Sequence, residues 1–147
     1  MQLEHKDSVF INGTGKKVGI VTSRFNQEIT HALLASAKEA LLKFGVLETD
    51  CEFISVPGAV EIPFALQHLA KTKKFDCLVA LGCVIRGKTP HFDYVCKMAQ
   101  EGVLRVSLDN SISIGFGVIT VNTLEQAKAR FHVGGEAVFV ALELALL

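Results

Sequence analysis

The alternation of apolar runs with helical patterns constrains the fold of this 147-residue chain more than any other feature. Short apolar runs predict strands at 17–22, 51–56, 77–81 and 112–121. Apolar residues that recur every three or four positions predict helices at 27–44, 60–72 and 90–107, one opened by a capping box at 123–126, and a last helix after Gly134-Gly135 to Leu147.

Strand–helix alternation with short connections is typical of a mainly parallel sheet that carries helices on both faces. We therefore predict one α/β domain over 1–147, a three-layer α/β/α sandwich around a four-stranded, mainly parallel, flavodoxin-like sheet. A short extra edge strand could form at 9–11, ahead of the Asn12-Gly13 turn.

Charge and hydropathy restrict the partners that the chain can have. Fifteen basic residues balance fifteen acidic ones, which gives no electrostatic reason to expect nucleic acid or an anionic membrane as a partner. Half of the residues are hydrophobic and the mean hydropathy is +0.38, yet no apolar run approaches the ~20 residues of a membrane helix. Because extended apolar surface outside membranes marks interfaces, we expect a homo-oligomer.

The cysteines and the N-terminus indicate a reduced, cytoplasmic protein. Cys51, Cys77, Cys83 and Cys96 form no C-x-x-C pair and no zinc spacing, so we expect core thiols and no metal site. The first seven residues lack the charged-then-apolar pattern of a secretory signal.

Residues 82–89 match G-x-x-x-x-G-K-S/T, the signature of nucleotide-binding P-loops. A P-loop needs a flexible loop whose amides surround a phosphate chain, and a second strand ending in Asp for magnesium. Val84 and Ile85 are β-branched and stiff in the middle of the pattern, and no apolar run ends in a suitably placed Asp. We interpret the match as a coincidence.

Ligands of open parallel sheets bind beyond the carboxyl ends of the strands, where this sequence places loops at 23–26, 57–61 and 83–91. Lys88 and Thr89 precede a helix N-terminus, which is a ready site for an anion such as a phosphate ester. His91 in the following first turn could exchange protons with a bound ligand, or it could be a surface histidine near a helix cap.

Three further side chains each allow two interpretations. Phe25 could stack on a flat ring or belong to the core. Glu61 could bind a ligand or complement a helix dipole. Arg130 could hold a phosphate or be merely solvated.

Five sequence blocks together resemble the lumazine synthase family, in order and with near-family spacing from residue 17 to the C-terminus. They are RFN at 24–26, VPGAVEIP at 56–63, LGCVIRGKTPHFDYV at 81–95, FGVIT at 116–120 and EQAKAR at 125–130. The resemblance implies condensation of 5-amino-6-(D-ribitylamino)uracil with 3,4-dihydroxy-2-butanone 4-phosphate. The products are 6,7-dimethyl-8-ribityllumazine, phosphate and water, and neither a metal nor an organic cofactor takes part.

The resemblance also implies roles for individual residues. In this family His91 takes the proton-transfer position, and a neighbouring subunit supplies the equivalents of Phe116 and Arg130, so the site requires an oligomer. The resemblance implies that the pyrimidine contacts Phe25, Cys83, Val84 and Ile85. It implies that the ribityl chain contacts Ala59, Val60 and Glu61. The phosphate is implied to contact Lys88, Thr89 and Arg130.

Two departures from the family pattern stand out. Val60 replaces a residue that is often a larger aromatic, which should only loosen packing. After Arg130 the family usually continues with a longer loop ending Asn-Lys-Gly, whose lysine points toward the substrate phosphate, but this chain reads RFHVGGE at 130–136. Our hypothesis is that Lys88 restores the missing positive charge.

Assembly and activity leave alternatives open at this point. The resemblance implies a pentamer, and an icosahedral shell of pentamers is compatible with the short loop after Arg130. The missing lysine also allows a non-catalytic lumazine- or flavin-binding shell protein.

Overall fold

A computed structural model describes residues 10–147. Its four-stranded sheet is parallel throughout, with the strand order β2-β1-β3-β4. The strands are β1 (Val18–Ser23), β2 (Cys51–Val56), β3 (Cys77–Ile85) and β4 (Ser113–Val121). The helices are α1 (Gln27–Lys43), α2 (Ile62–Lys71), α3 (His91–Asn110), α4 (Leu124–Lys128) and α5 (Val133–Ala145), and short 3-10 turns occupy Glu48–Asp50 and Ala59–Glu61.

Two apolar clusters on opposite faces of the sheet make the predicted three layers. On one face, α2 and α3 pack against a cluster that includes Leu66, Leu78 and Val103. On the other, α1 and α5 pack against a cluster that includes Leu41, Val79 and Val138. The prediction of a three-layer α/β/α sandwich is therefore confirmed.

The central strand β3 is longer than the sequence predicted. Its residues from Cys77 to Val84 are all buried, as expected of a parallel strand covered on both faces. The sequence predicted a strand that ends at Leu81, just before Gly82, but a side chain at Gly82 would contact Ser23 Oγ at 2.8 Å. Gly82 thus allows close packing within the strand and does not end it.

Other boundaries move for local reasons. The segment predicted to begin the second helix at Val60 forms a 3-10 turn, and α2 begins at Ile62 with Pro63 in its first turn, where proline is tolerated. The capping box is confirmed, because Thr123 Oγ1 accepts from the Gln126 amide at 3.2 Å. Of the suggested edge strand, Val9 lies outside the described residues, and Phe10 and Ile11 belong to no strand.

The Gly134-Gly135 pair lies inside the last helix, and its prediction as a break before that helix was wrong. α5 begins at Val133, so both glycines are in its first turn. A Cβ atom on Gly134 would overlap the carbonyl group of Leu33 in α1. The pair therefore lets two helices approach closely, which sequence periodicity cannot distinguish from a helix break.

Candidate active site

The three predicted loops meet around one cavity of about 270 Å³ beyond the carboxyl ends of β1 and β3. This cavity, which we call the first cavity, is smaller than the roughly 300–1,000 Å³ of typical ligand sites. Of the sequence-predicted site residues, those that line it are Phe25, Ala59, Val60, Cys83, Val84, Ile85, Thr89 and His91.

The loop after β1 presents an aromatic ring to the first cavity. The Phe25 side chain is 72% exposed, so it does not belong to the core in this chain. Its backbone is fixed because the Phe25 amide donates to Pro57 O at 3.1 Å. Asn26 adopts a left-handed conformation with φ 60°, which asparagine tolerates better than most residues. The ring is therefore free to stack on a ligand.

Asn26 is a site residue that the sequence reasoning missed. Its Nδ2 atom donates to the Cys83 carbonyl at 3.0 Å, which ties the loop after β1 to the end of β3. It also lines the first cavity. The available signal was the residue type, because asparagine adopts left-handed backbone more readily than most residues.

The loop after β2 brings a carboxylate to the edge of the first cavity. The Glu61 amide donates to Gly58 O at 3.2 Å, closing the 3-10 turn. Glu61 Oε2 lies 3.2 Å from the position that a Cβ atom on Gly58 would occupy, and Gly58 lines the first cavity. Glu61 itself is exposed and makes no capping hydrogen bond to α2, so its carboxylate can accept hydrogen bonds from a ligand.

The end of β3 forms a buried wall of the first cavity. Cys83 and Val84 are 2% and 8% exposed, and burial raises the pKa of the Cys83 thiol to about 11. Because the thiolate is the reactive form, Cys83 is not poised as a nucleophile near neutral pH. At the site, the Cys83 backbone carbonyl accepts the hydrogen bond from Asn26 Nδ2.

The backbone of β3 also excludes a P-loop. Residues 82–85 are paired in register with β4, from Gly82 opposite Val118 to Ile85 opposite Val121. This extended backbone runs straight as part of β3 and cannot curve around a phosphate chain as a P-loop does. The sequence-based rejection of nucleotide hydrolysis is supported by this geometry.

The turn between β3 and α3 carries the polar groups. The His91 amide lies 3.4 Å from Thr89 Oγ1, which brings the hydroxyl to the start of α3. Gly87 has open space around it, and His91 is exposed as the first residue of the helix. Lys88 is exposed, does not line the first cavity and forms no ion pair within residues 10–147.

Phe116 and Arg130 lie in a different place, an open cavity of about 630 Å³ between β4 and α5 that we call the second cavity. Arg130 Nη1 donates to Gln126 O at 2.7 Å, which leaves the rest of the guanidinium available. His132 also lines this cavity, with Nε2 3.7 Å from Glu136 Oε1. Within one chain, the structure does not bring Phe116 or Arg130 to His91.

Comparison with known proteins decides the family. The model of the 6,7-dimethyl-8-ribityllumazine synthase family matches residues 15–147. A protein of Lactiplantibacillus plantarum named 6,7-dimethyl-8-ribityllumazine synthase is 47% identical over 136 residues, which cover 91% of this chain and 86% of the relative. The chain belongs to the 6,7-dimethyl-8-ribityllumazine synthase family.

The family match includes all residues that line the two cavities, because it extends from residue 15 to the end of the chain. The family resemblance drawn from the five sequence blocks is thus confirmed. Within residues 10–147, none of the helices is long and apolar enough to cross a membrane.

Proposed function

We propose that this chain, as a single domain over 1–147, is a transferase that condenses 5-amino-6-(D-ribitylamino)uracil with 3,4-dihydroxy-2-butanone 4-phosphate. The products are 6,7-dimethyl-8-ribityllumazine, phosphate and water, in the penultimate step of riboflavin biosynthesis. The observation that carries the proposal is the meeting of Phe25, Thr89 and His91 in one cavity of a chain from this family.

The apolar part of the first cavity suits the pyrimidine. The exposed Phe25 ring offers a stacking face, and Val84 and Ile85 line the same space. Along the loop after β2, we assign Ala59, Val60 and Glu61 to the ribityl chain, with the Glu61 carboxylate accepting hydrogen bonds from its hydroxyls.

The polar part suits a phosphate ester. Thr89 provides a hydroxyl immediately before the N-terminus of α3, where backbone amides and the helix dipole favour an anion. Lys88 adds a positive charge to the same turn. We assign Arg130 of a neighbouring subunit to clamp the phosphate from the opposite side, since guanidinium binds phosphate in a bidentate manner.

His91 is the proposed proton-transfer group. Attack of the substrate amine on the ketone gives a carbinolamine, which loses water to form an imine. Phosphate then leaves, and ring closure releases water again. These steps need proton transfer, an anion pocket and correct orientation of two substrates more than a strong nucleophile, and the protonated Cys83 thiol is consistent with that requirement.

The separation of the two cavities supports an oligomeric enzyme. The first cavity is small for two substrates, and Phe116 and Arg130 line another surface of the same chain. We propose a cytoplasmic homo-oligomer, a pentamer in which the second cavity of one subunit completes the first cavity of its neighbour. A shell of pentamers extends this proposal, and light scattering of the purified protein measures which assembly forms.

A turnover assay tests the activity directly. Mixing the purified protein with both substrates should raise lumazine absorbance and fluorescence well above the spontaneous rate measured without protein. A rate equal to that blank, from protein that still binds the lumazine, would instead identify a non-catalytic lumazine-binding protein. Titration with ATP and magnesium should show no binding.

Lys88→Ala should raise KM for the butanone phosphate about tenfold, the ~1.4 kcal/mol scale of one charged contact. The reason is that Lys88 would supply the charge that the shortened loop after Arg130 lacks. Steady-state kinetics with the other substrate saturating gives this KM. Lys71→Ala, at the far end of α2, is the matched control, and an unchanged KM in Lys88→Ala would refute the compensation.

A further inference from the structure

Next to the first cavity, Arg86 makes side-chain contacts to three residues, Phe92, Asp93 and Asn122, although it lines neither cavity. It follows the last residue of β3, and its amide donates to Val121 O at 2.8 Å. The guanidinium carbon lies 4.4 Å from the centroid of the Phe92 ring. Nη1 lies 3.6 Å from Asp93 Oδ1, and Nε donates to Asn122 Oδ1 at 2.9 Å.

The contacts to Phe92 and Asp93 fix the start of α3. Phe92 lines the first cavity, and both residues are in the first turn of the helix, directly after His91. Within the connection at 86–90, Gly87 packs against no other described part of the chain, since a side chain there would touch nothing within 4 Å. Among the described residues, the Thr89 hydroxyl and the Pro90 carbonyl accept hydrogen bonds only from the first turn of α3 itself. The Arg86 guanidinium is thus the main described side-chain link between the end of β3 and the turn that carries His91.

The contact to Asn122 extends the arrangement to the second cavity. The Asn122 amide donates to Gln126 Oε1 at 2.7 Å, and Gln126 belongs to the capping box of α4. Gln126 O in turn accepts from Arg130 Nη1 at 2.7 Å. A continuous series of contacts therefore runs from Phe92 through Arg86, Asn122 and Gln126 to Arg130.

We propose that Arg86 is a positioning residue that holds the first turn of α3, and with it His91, in a fixed geometry relative to the end of β4. Its planar guanidinium suits this role because one flat group faces an aromatic ring, a carboxylate and an amide oxygen together. A lysine at this position has a single charged nitrogen and cannot keep all three contacts. The expected loss of kcat rests on the proposed function. The fixed geometry of the first turn of α3 does not.

The kinetic test compares Arg86→Met and Arg86→Lys with the wild-type enzyme. Small displacements of reacting groups cost rate strongly, so both variants should lower kcat about tenfold. KM for the ribitylaminouracil should change less than about threefold, because Phe25 and the end of β3 remain in place. Arg105→Met is the matched control, since Arg105 is on α3 in an exposed ion pair with Asp109, and its kcat should be unchanged.

Either of two kinetic results would overturn the proposal. If Arg86→Met raises only KM for the butanone phosphate and Arg86→Lys restores it, Arg86 supplies charge to the phosphate and does not position the turn. If kcat equals that of the wild type in both variants, Arg86 has no role in the reaction.

Amide hydrogen exchange tests the positioning without relying on turnover. In Arg86→Met, peptides covering 87–93 and 122–126 should exchange faster than in the wild type, while α2 should exchange at the same rate. Unchanged exchange in both segments would refute the proposal even if activity falls.

A second variant serves if Arg86→Met is globally unstable and exchanges faster throughout. Asn122→Ala removes only the hydrogen bond from Arg86 Nε to Asn122 Oδ1 and should accelerate exchange at 87–93. If the wild-type protein shows no turnover, the proposed function is refuted but the role of Arg86 is not. The exchange result still decides whether Arg86 holds the first turn of α3.

Discussion

His91→Gln should lower kcat about a hundredfold, the low end of the effect of a general acid–base group. The low end is expected because His91 is exposed on the first turn of α3, so water can replace part of its proton transfer. Glutamine keeps a polar group of similar length but cannot exchange a proton in the same way. KM for both substrates should change little, because stacking on Phe25 and anion binding at Thr89 do not require the imidazole.

Steady-state kinetics with saturating substrates measures this loss. His68→Gln is the control, since His68 is exposed in the last turn of α2 and distant from the carboxyl edge of the sheet. It should turn over like the wild type. A His91→Gln enzyme with kcat within a factor of about three of the wild type would show that orientation and the anion site suffice, and that His91 is not the proton-transfer group.

Gly134→Ala should lower the free energy of unfolding by ~3 kcal/mol, at the upper end of the usual cost of overpacking. The new methyl group would overlap the Leu33 carbonyl, which belongs to the backbone of α1 and cannot turn aside as a side chain could. Relief requires α1 and α5 to separate along the face that packs Leu41 and Val138. For a chain of this size the midpoint of thermal unfolding should fall by about 10 °C.

Gly135→Ala is a closely matched control for that substitution. It is in the same helical turn, and both alanines gain the same helix propensity, up to about 1 kcal/mol over glycine. A side chain at Gly135 would lie 3.3 Å from Ser36 Oγ and 3.4 Å from Ser36 O and Ala40 Cβ, so the neighbours need to move by only a few tenths of an ångström. Such a shift can keep the hydrogen bond from the Gly135 amide to Ser36 Oγ. For Gly135→Ala, the free energy of unfolding, measured with denaturant at equal protein concentration, should therefore change by less than about 1 kcal/mol. Equal stability of the two variants would contradict the close helix contact.

The elements of the fold could be predicted from sequence because their signals are local. The apolar period of α1 and the capping box at Thr123 act within a few residues, and both were located correctly. Two predicted boundaries next to glycines were wrong, because β3 continues through Gly82 and α5 begins before Gly134. Both glycines are required by close contact with a distant part of the chain: Gly82 packs against Ser23, and Gly134 packs against Leu33. The reason for each glycine is therefore not local.

The first cavity could be anticipated because parallel strands bring their carboxyl ends to one edge. That rule alone placed Phe25, Thr89 and His91 together. It could not find Asn26 or Arg86, because their importance lies in contacts over distances of 57 and 36 residues along the chain.

Sequence alone determined the succession of strands and helices along the chain and the loops that carry the candidate site residues. Through five spaced blocks it also determined the resemblance to the family. The pattern at 82–89 shows the limit of that information, because the same letters fit a P-loop or a buried strand that leads into a turn. Sequence already argued against the P-loop, and the tertiary structure supplied the physical reason, since residues 82–85 continue β3 as an extended strand paired with β4. Only the tertiary structure decided that Phe25 is exposed and that Phe116 and Arg130 lie apart from His91. The physical reason is the same in each case: exposure and backbone pairing depend on neighbours that are distant along the chain.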